Sequence, residues 1–355
     1  MSENIYKRWF DAIDKQSIRK GSKIELKLLI KKVLDNDGVV ILNLFHLSQL
    51  VSINYQEVCK MVCSPDNFYR QFKIPKRHGG SREISAPYPS LMLIQEWIYK
   101  ELLLPHYEFP PCVTGFIPKK GIRDNANPHC SNDVILQMDI KDFFPSITLN
   151  RVINVFKILG YWNQMAYYLG SLCCKDGVLP QGAPTSPILS NIIAGRMDRR
   201  LSALCDKFGI TYTRYADDLT FSGKHIGKSF IKIVTSIIAD EGFLVNESKT
   251  RLLRKGARKI LTGVSVSSGK PTIPRSLKRR LRQEVYYIHK YGIEEHMKYK
   301  GIKDFKYKIR LNGYFAYWKS IEDCDSQKKL YEQFNSRVSL FERISLRIKL
   351  LFKGL

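Results

Sequence analysis

At 355 residues, with 44% hydrophobic and 12% aromatic side chains, the chain has the length for two or three domains and the apolar content to bury substantial cores. Fifty-eight Lys and Arg against 33 Asp and Glu leave a net charge of +25, which favours a polyanionic partner, nucleic acid before a membrane surface. No apolar run approaches a membrane span, the opening MSENIYKRWFDAIDK lacks the apolar stretch of a secretory signal, and the eight cysteines show no CxxC pair or zinc spacing; reduced thiols in a cytoplasm are expected.

Residues 1–66 read as a helical region, with Ile24, Leu28 and Val33 at helical spacing and no motif that carries chemistry. Cys59 and Cys63, four apart, are assigned to helix packing. From Phe68 to about Gly121, Pro and Gly clusters break the chain, and Gly79-Gly80 between Lys76-Arg77 and Arg82-Glu83 predicts a hairpin with basic residues at its tip. PSLMLIQEWIYKELLL (89–104) is helical by length and pattern. VILQMDI (134–140) is a short apolar strand that delivers Asp139 at its end. FPSITLNRVINVFKILG (144–160) continues as a helix, and SPILSNIIAGRMDRRLSALCDKFG (186–209) as a long amphipathic one. In ITYTRYADDLTFSG (210–223) the residues alternate on either side of Ala216-Asp217-Asp218, which closes a tight hairpin with both carboxylates at its tip. A basic loop and the ribbon ILTGVSVSSGKPTI (260–273) follow. From Pro274 the chain turns helical again: Leu277, Leu281, Val285 and Ile288 recur at intervals of 4, 4 and 3, leaving Arg275, Lys278, Arg279 and Arg282 mostly on other faces. Between Lys249 and Arg282 stand twelve basic residues and no acidic one; a merely solvated face mixes signs, so this stretch reads as a nucleic-acid surface.

Adjacent aspartates repel each other and make poor strand formers, so a lone Asp-Asp turn is most simply a surface turn. Asp139, emerging from a buried strand, adds a third carboxylate. Three converging carboxylates repel unless cations sit between them, and hard oxygen donors beside substrate phosphates suit Mg²⁺. Two such ions about 3.5 to 4 Å apart activate an attacking hydroxyl and stabilise a leaving pyrophosphate, which is nucleotidyl transfer.

The motifs around this core resemble those of a reverse transcriptase. KRHGGSREISAP, GFIPKKGIRDNANPH, MDIKDFFPSI, LPQGAPTSPILSN, YTRYADD, LVNESKT and LTGVSV follow one another in the family's order over residues 74 to about 266. Within the family, Asn125-Ala126-Asn127-Pro128-His129 matches the NAxxH element of bacterial retron enzymes. Leu261-Thr262-Gly263 is similar to their VTG element, with Leu in place of Val. QGAPTSP resembles retron and group II intron enzymes and lacks the altered form of diversity-generating elements; after one thumb-like region no length remains for maturase and endonuclease parts.

The resemblance implies an α+β, right-hand polymerase fold, with fingers, a palm whose antiparallel sheet carries the YADD hairpin, and a helical thumb. The expected division is an N-terminal helical region at 1–66, fingers and palm at 67–260, and a palm-to-thumb ribbon with an RNA-binding helical thumb at 261–355. By motif, Asp139, Asp217 and Asp218 become the catalytic and metal-binding triad for two Mg²⁺ ions, with the Ile140 carbonyl as a further ligand. Lys76 and Arg82 are expected on the triphosphate, Gln181 beside the incoming dNTP, and Phe144 under its sugar, where an aromatic plate excludes a 2′-hydroxyl. Lys249 either assists pyrophosphate departure or is one more lysine of the basic stretch. Asn125, His129, Arg275, Lys278, Arg279, Arg280 and Arg282 are expected on RNA, although taken without the surrounding blocks NANPH reads as a helix cap with a buried His. The aromatics at 286, 287, 291, 314, 315, 317 and 318 are mostly core, with a minority stacking on bases. Retron enzymes, by the same resemblance, copy a structured noncoding RNA of their own into msDNA, primed from a guanosine 2′-hydroxyl, and act in antiphage defence with an effector protein and no membrane partner. A group II-like or abortive-infection reverse transcriptase, or an RNA-DNA-binding scaffold that restrains an effector, stands as the alternative.

Overall fold

The computed structural model describes residues 2–75, 79–304 and 306–336. In chain order the elements are helices α1 (Ser2–Asp14), α2 (Lys20–Asp35), α3 (Leu44–Leu50) and α4 (Tyr55–Cys63), then strands β1 (Tyr69–Pro75) and β2 (Ser81–Pro87). Helix α5 (Pro89–Trp97) runs on as π-helical turns at Ile98–Leu103, which together fill the helix expected over 89–104. Next come α6 (Ile122–Ala126), β3 (Val134–Asp139), α7 (Leu149–Ile158), α8 (Asn163–Cys173) and α9 (Ser186–Phe208). The hairpin β4 (Thr211–Tyr215) and β5 (Asp218–Gly223) is followed by α10 (Lys228–Asp240), β6 (Arg251–Leu253), β7 (Ile260–Leu261) and β8 (Val264–Ser265). Helices α11 (Arg275–Tyr291), α12 (Ile293–Tyr299) and α13 (Tyr307–Ile321) complete the named elements, and 325–336 is helical. Among the described residues no helix is long and apolar enough to cross a membrane. All eight cysteines carry free thiols.

The chain divides into two compact units. The first comprises Met1–Lys119, Gln137–Thr220 and Ile226–Arg251. Its N-terminal helices form as expected, and Asn43 and Asn54 cap α3 and α4 by accepting from the amides of His46 and Gln56. The buried stripe of α2 differs from the expected one. Val33 is buried beside Ile30, but Ile24 and Leu28 are 53% and 62% exposed. Helix α1 packs along α2, with Lys23 and Lys27 bonded to Asp14 and Lys27 over the Phe10 ring, and the covered face runs on through Ile30 and Val33, leaving Ile24 and Leu28 outside it. At the C-terminal end a Cβ at Gly160 would stand 2.9 Å from the Lys32 carbonyl oxygen. Strands β1 and β2 pair antiparallel, with Ile74 opposite Arg82, and Gly79 and Gly80 take φ of +92° and +78° at the turn. The larger sheet has the order β4-β5-β3-β6. Beside β4 a short segment runs parallel: the Arg214 amide donates to the Cys112 carbonyl (2.8 Å) and the Thr114 amide to the Arg214 carbonyl (2.9 Å). Pro187 in the first turn and Gly209 at φ +61° delimit α9, a start and stop typical of helices.

The second unit comprises Lys120–Leu136, Phe221–His225 and Leu252–Leu355. Leu281, Val285 and Ile288 of α11 are buried with Phe315 and Trp318 of α13 and with Phe334, as the apolar spacing from Pro274 predicts. Each such side chain contributes about 1.5–3 kcal/mol relative to its exposed state. Glu284 is buried on the same helix, and its carboxylate accepts from His296 Nε2 (2.5 Å), Lys300 Nζ (2.8 Å) and Tyr307 OH (2.6 Å). Burial alone would raise its pKa, but the three donors outweigh burial and hold it below the ordinary value.

Candidate active site

Asp139 closes β3 and is only 6% exposed, and the strand end is bonded to the hairpin turn and to the loop before β6. The Ile140 amide donates to the Asp217 carbonyl (3.0 Å), the Lys141 amide to the Leu244 carbonyl (2.8 Å), and the Asn246 amide to the Asp139 carbonyl (2.8 Å). The hairpin turns at Ala216, whose φ of +58° is a left-handed value that an alanine adopts at some cost. Gly115 lies directly against this turn: a Cβ there would stand 2.5 Å from the Ala216 amide nitrogen, so no larger residue fits without moving the backbone.

The electrostatics reflect this crowding. The Asp139 carboxylate accepts from Lys249 Nζ (2.7 Å) and Asn246 Nδ2 (3.2 Å). Burial raises the pKa of Asp217, its own backbone amide opposes the shift, and the charge of Asp139 adds to it; Lys249 and Arg82 pull it back. Asp218 reaches solvent at the hairpin tip, yet burial of its surroundings, together with Asp217 and Asp139, pushes it up to about 6. Lys249 is raised as well, mainly by its hydrogen bond to Asp139. Among the described residues no three His, Cys, Asp or Glu side chains stand close enough to hold an ion as placed. The donor chemistry nevertheless fits a hard divalent cation: the three carboxylates offer oxygen only, the charge of Asp139 raises the proton affinity of both turn carboxylates, and the cation bonded to Asp139 is a half-exposed lysine.

Around the triad the expected nucleotide residues fall as follows. Arg82, on β2, is exposed, and its charge is felt at Asp217. Lys76 lies outside the described residues. The Gln181 carbonyl accepts from the Ser85 amide (2.8 Å), and Gly182, at φ +124°, lets the chain pass the Ser85 carbonyl, which a Cβ would approach to 2.9 Å. Asp142, at φ +46°, turns the chain after Ile140. Phe143 is buried against Phe243 (ring centroids 5.6 Å apart), whereas Phe144 is half-buried and meets Phe116 at 5.9 Å. The two rings stay in contact, 5.7 Å between centroids, but differ in burial directly after the turn.

One set of residues close to the turn is not signalled by any motif. Arg214 and Asp198 form an ion pair with neither side chain exposed: Nε and Nη2 of Arg214 donate to the two carboxylate oxygens at 2.8 and 2.7 Å. Nη1 donates to Asn191 Oδ1 (3.0 Å) and to the Ala216 carbonyl (3.1 Å), and Asn191 Nδ2 donates to the Gly115 carbonyl (3.0 Å). Tyr212 OH also donates to Asp198 (2.8 Å). Burial works against the guanidinium charge, but Asp198 more than compensates and holds its pKa above the usual value. Removing one partner of such a pair costs about 3–5 kcal/mol. Parity puts Tyr212 and Arg214 on one face of β4, but Thr213 between them is buried as well, so alternation alone does not single out Arg214.

The reverse transcriptase (RNA-dependent DNA polymerase) family matches residues 74–302. The retron Ec86 reverse transcriptase of Escherichia coli is 33% identical over 261 residues, spanning 72% of this chain and 81% of its own. The chain belongs to the retron reverse transcriptases. It is an RNA-directed DNA polymerase with the α+β, right-hand polymerase fold of that family, whose members use divalent cations and RNA templates. The retron Mx65 reverse transcriptase of Myxococcus xanthus is 39% identical over 220 residues, 56% of this chain and 51% of its own. Among solved structures, a telomerase from Candida albicans in complex with a fragment of telomeric RNA has a TM-score of 0.42 at 13% identity, covering 75% of this chain and 61% of that one.

The retron elements NANPH and LTG lie together in the second unit, inside it. Asn125 and His129 are fully buried, so neither side chain is presented to RNA as expected. Asn125 Nδ2 donates to Thr262 Oγ1 (3.4 Å), joining the two elements, and Thr262 holds a φ of +46°. His129 Nδ1 bonds the Ser222 hydroxyl (2.6 Å), which also accepts from Asn132 Nδ2 (2.7 Å). Burial pushes the His129 imidazole down to about 4. Of the expected RNA contacts on α11, Arg275, Arg279, Arg280 and Arg282 are exposed, with Arg280 lying 4.5 Å over the Tyr314 ring. Lys278 is engaged internally, paired with Glu322 (2.5 Å) and placed over Trp318. Tyr286 and Tyr291 are exposed, Tyr287, Tyr314 and Tyr317 are partly buried, and Phe315 and Trp318 are core.

Proposed function

We propose that this retron enzyme copies a structured noncoding RNA of its own system into msDNA, primed from an RNA 2′-hydroxyl, using two Mg²⁺ ions at Asp139, Asp217, Asp218 and the Ile140 carbonyl, and that it serves antiphage defence with an effector. The observation that carries the reading is the convergence of Asp139 with the Asp217-Asp218 turn, tied by the Ile140 amide and Asp217 carbonyl, where the carboxyl pKa values of the turn rise together. When bound, the ions supply Lewis-acid activation of the attacking hydroxyl and charge neutralisation of the leaving pyrophosphate. The chain's own residues do the rest. Arg82 brings a fixed cation to the triphosphate side and the Gln181 backbone is anchored to β2. Phe144 offers a half-buried aromatic face to the sugar. Lys249, already beside Asp139, is placed to give charge or a proton to departing pyrophosphate. Residues 67–260 act as fingers and palm, and 261–355 as a thumb that holds RNA through Arg275, Arg279, Arg280 and Arg282, which are exposed.

Primer extension with Mg²⁺, run beside filter binding of RNA, tests the assignment. Asp139→Asn and Asp217→Asn should each lower extension by at least about 10³-fold, the several kcal/mol that metal-borne charge stabilisation supplies, while RNA affinity stays near wild type. Extension at the wild-type rate by either variant refutes it.

A further inference from the structure

We infer that Arg214 is a positioning residue for the polymerase reaction, fixing the Ala216-Asp217 turn through its hydrogen bond to the Ala216 carbonyl. The inference rests on the proposed role of Asp217 and Asp218. A core ion pair serving stability alone would be complete once Nε and Nη2 met Asp198. Here the remaining nitrogen is directed at the turn, at 3.1 Å from the Ala216 carbonyl oxygen, and at Asn191, which in turn holds the Gly115 carbonyl. The two sides of the turn are therefore gripped by one network: the guanidinium from the carbonyl side, and Gly115, packed against the Ala216 amide, from the other.

The turn needs such a grip. Ala216 sits at φ +58°, a region that alanine leaves when it is free to do so. The next residue, Asp217, is joined to the end of the Asp139 strand through the backbone bond from the Ile140 amide. A relaxation of Ala216 would carry Asp217 and Asp218 away from Asp139, although no side chain of the triad had changed. Only a planar fork reaches both Asp198 and the carbonyl; a lysine ammonium, as a point donor, serves one or the other.

The test uses the full chain. Arg214→Lys should lower kcat roughly 10²-fold with KM for dNTP little changed, the signature of a reactive group displaced by a fraction of an ångström. Mn²⁺ affinity, read by electron paramagnetic resonance without any turnover, should fall by about tenfold or more, as happens when the groups that orient metal ligands are removed. The pair Arg214→Met with Asp198→Leu removes both charges and leaves neither unpaired; it should melt near the wild-type temperature and keep RNA binding, yet show the same reductions. Asn191→Ala, which keeps the ion pair, provides a milder step in the same direction should the double variant misfold. A folded Arg214→Lys or double variant with wild-type kcat and Mn²⁺ affinity overturns the inference. Asp217→Asn is run in parallel: if it extends primers normally, the site assignment itself falls, whereas an inactive Asp217→Asn beside fully active Arg214 variants removes only the positioning role.

Discussion

Two phenylalanines in succession, Phe143 and Phe144, have opposite surroundings although they are chemically identical. Phe143 is 3% exposed among Phe243 and the Arg214 guanidinium, and Phe144 keeps a free face beside Phe116. If Phe144 underlies the sugar, Phe144→Val should open room for a 2′-hydroxyl and shift the rNTP to dNTP ratio of kcat/KM by on the order of 2 kcal/mol, roughly thirtyfold. Phe143→Val should instead cost stability, about 1–3 kcal/mol in a denaturant titration, with little change in the ratio. A change of ratio from Phe143 alone would show the register to be off by one residue; no change from either would remove the steric gate. The place of Phe144 under the sugar comes from the family motif that runs on from Asp139, and the structure adds that its ring is less buried than that of Phe143. The place of Arg214 was not legible in the sequence, because its meaning depends on Asp198, sixteen residues away on another element, and a charged residue in a strand reads as exposed until its partner is known.

At the scale of elements, α11 divides its cations between two tasks. Leu281, Val285 and Ile288 face the core, Lys278 is held by Glu322 and Trp318, and Arg279, Arg280 and Arg282 remain exposed. Replacing these three arginines with Ala should weaken binding to structured RNA and reduce the slope of log K against log salt by about one unit for each phosphate no longer neutralised. Unchanged affinity and slope across a titration from low to moderate salt would return the face to plain solvation. Periodicity identified α11 because its apolar stripe is continuous and fully used. The same rule misplaced the buried face of α2, since Ile24 and Leu28 obey helical spacing but lie off the face that α1 covers. For NANPH, motif resemblance implied a role in RNA contact, and the burial of Asn125 and His129 turns that role inward. A short polar motif carries no signal of whether its side chains face solvent or the LTG element.

For the molecule as a whole, His129 links pH to stability. Its imidazole titrates near 4 in the folded chain against an ordinary 6.5, because burial disfavours the charged form. The unfolded chain therefore binds the extra proton first: the contribution is intact above about 6.5 and falls away progressively as pH drops toward 4. The difference corresponds to on the order of 3 kcal/mol. Denaturant titrations at pH 7, 6, 5 and 4 should show the wild type losing stability relative to a His129→Gln variant by about that amount, and parallel curves for the two would exclude His129 as the source. A final consequence belongs to the segment Cys112–Thr114 that runs beside β4. In the order β4-β5-β3-β6, β4 is an outer strand, and an outer strand with free amides and carbonyls is a template for another chain. At Arg214 both groups are already taken, by the Cys112 carbonyl and the Thr114 amide. The sheet that carries the reactive carboxylates is thus closed to intermolecular strand addition at that position by its own polypeptide, a protection against aggregation built from the same few residues that brace the turn.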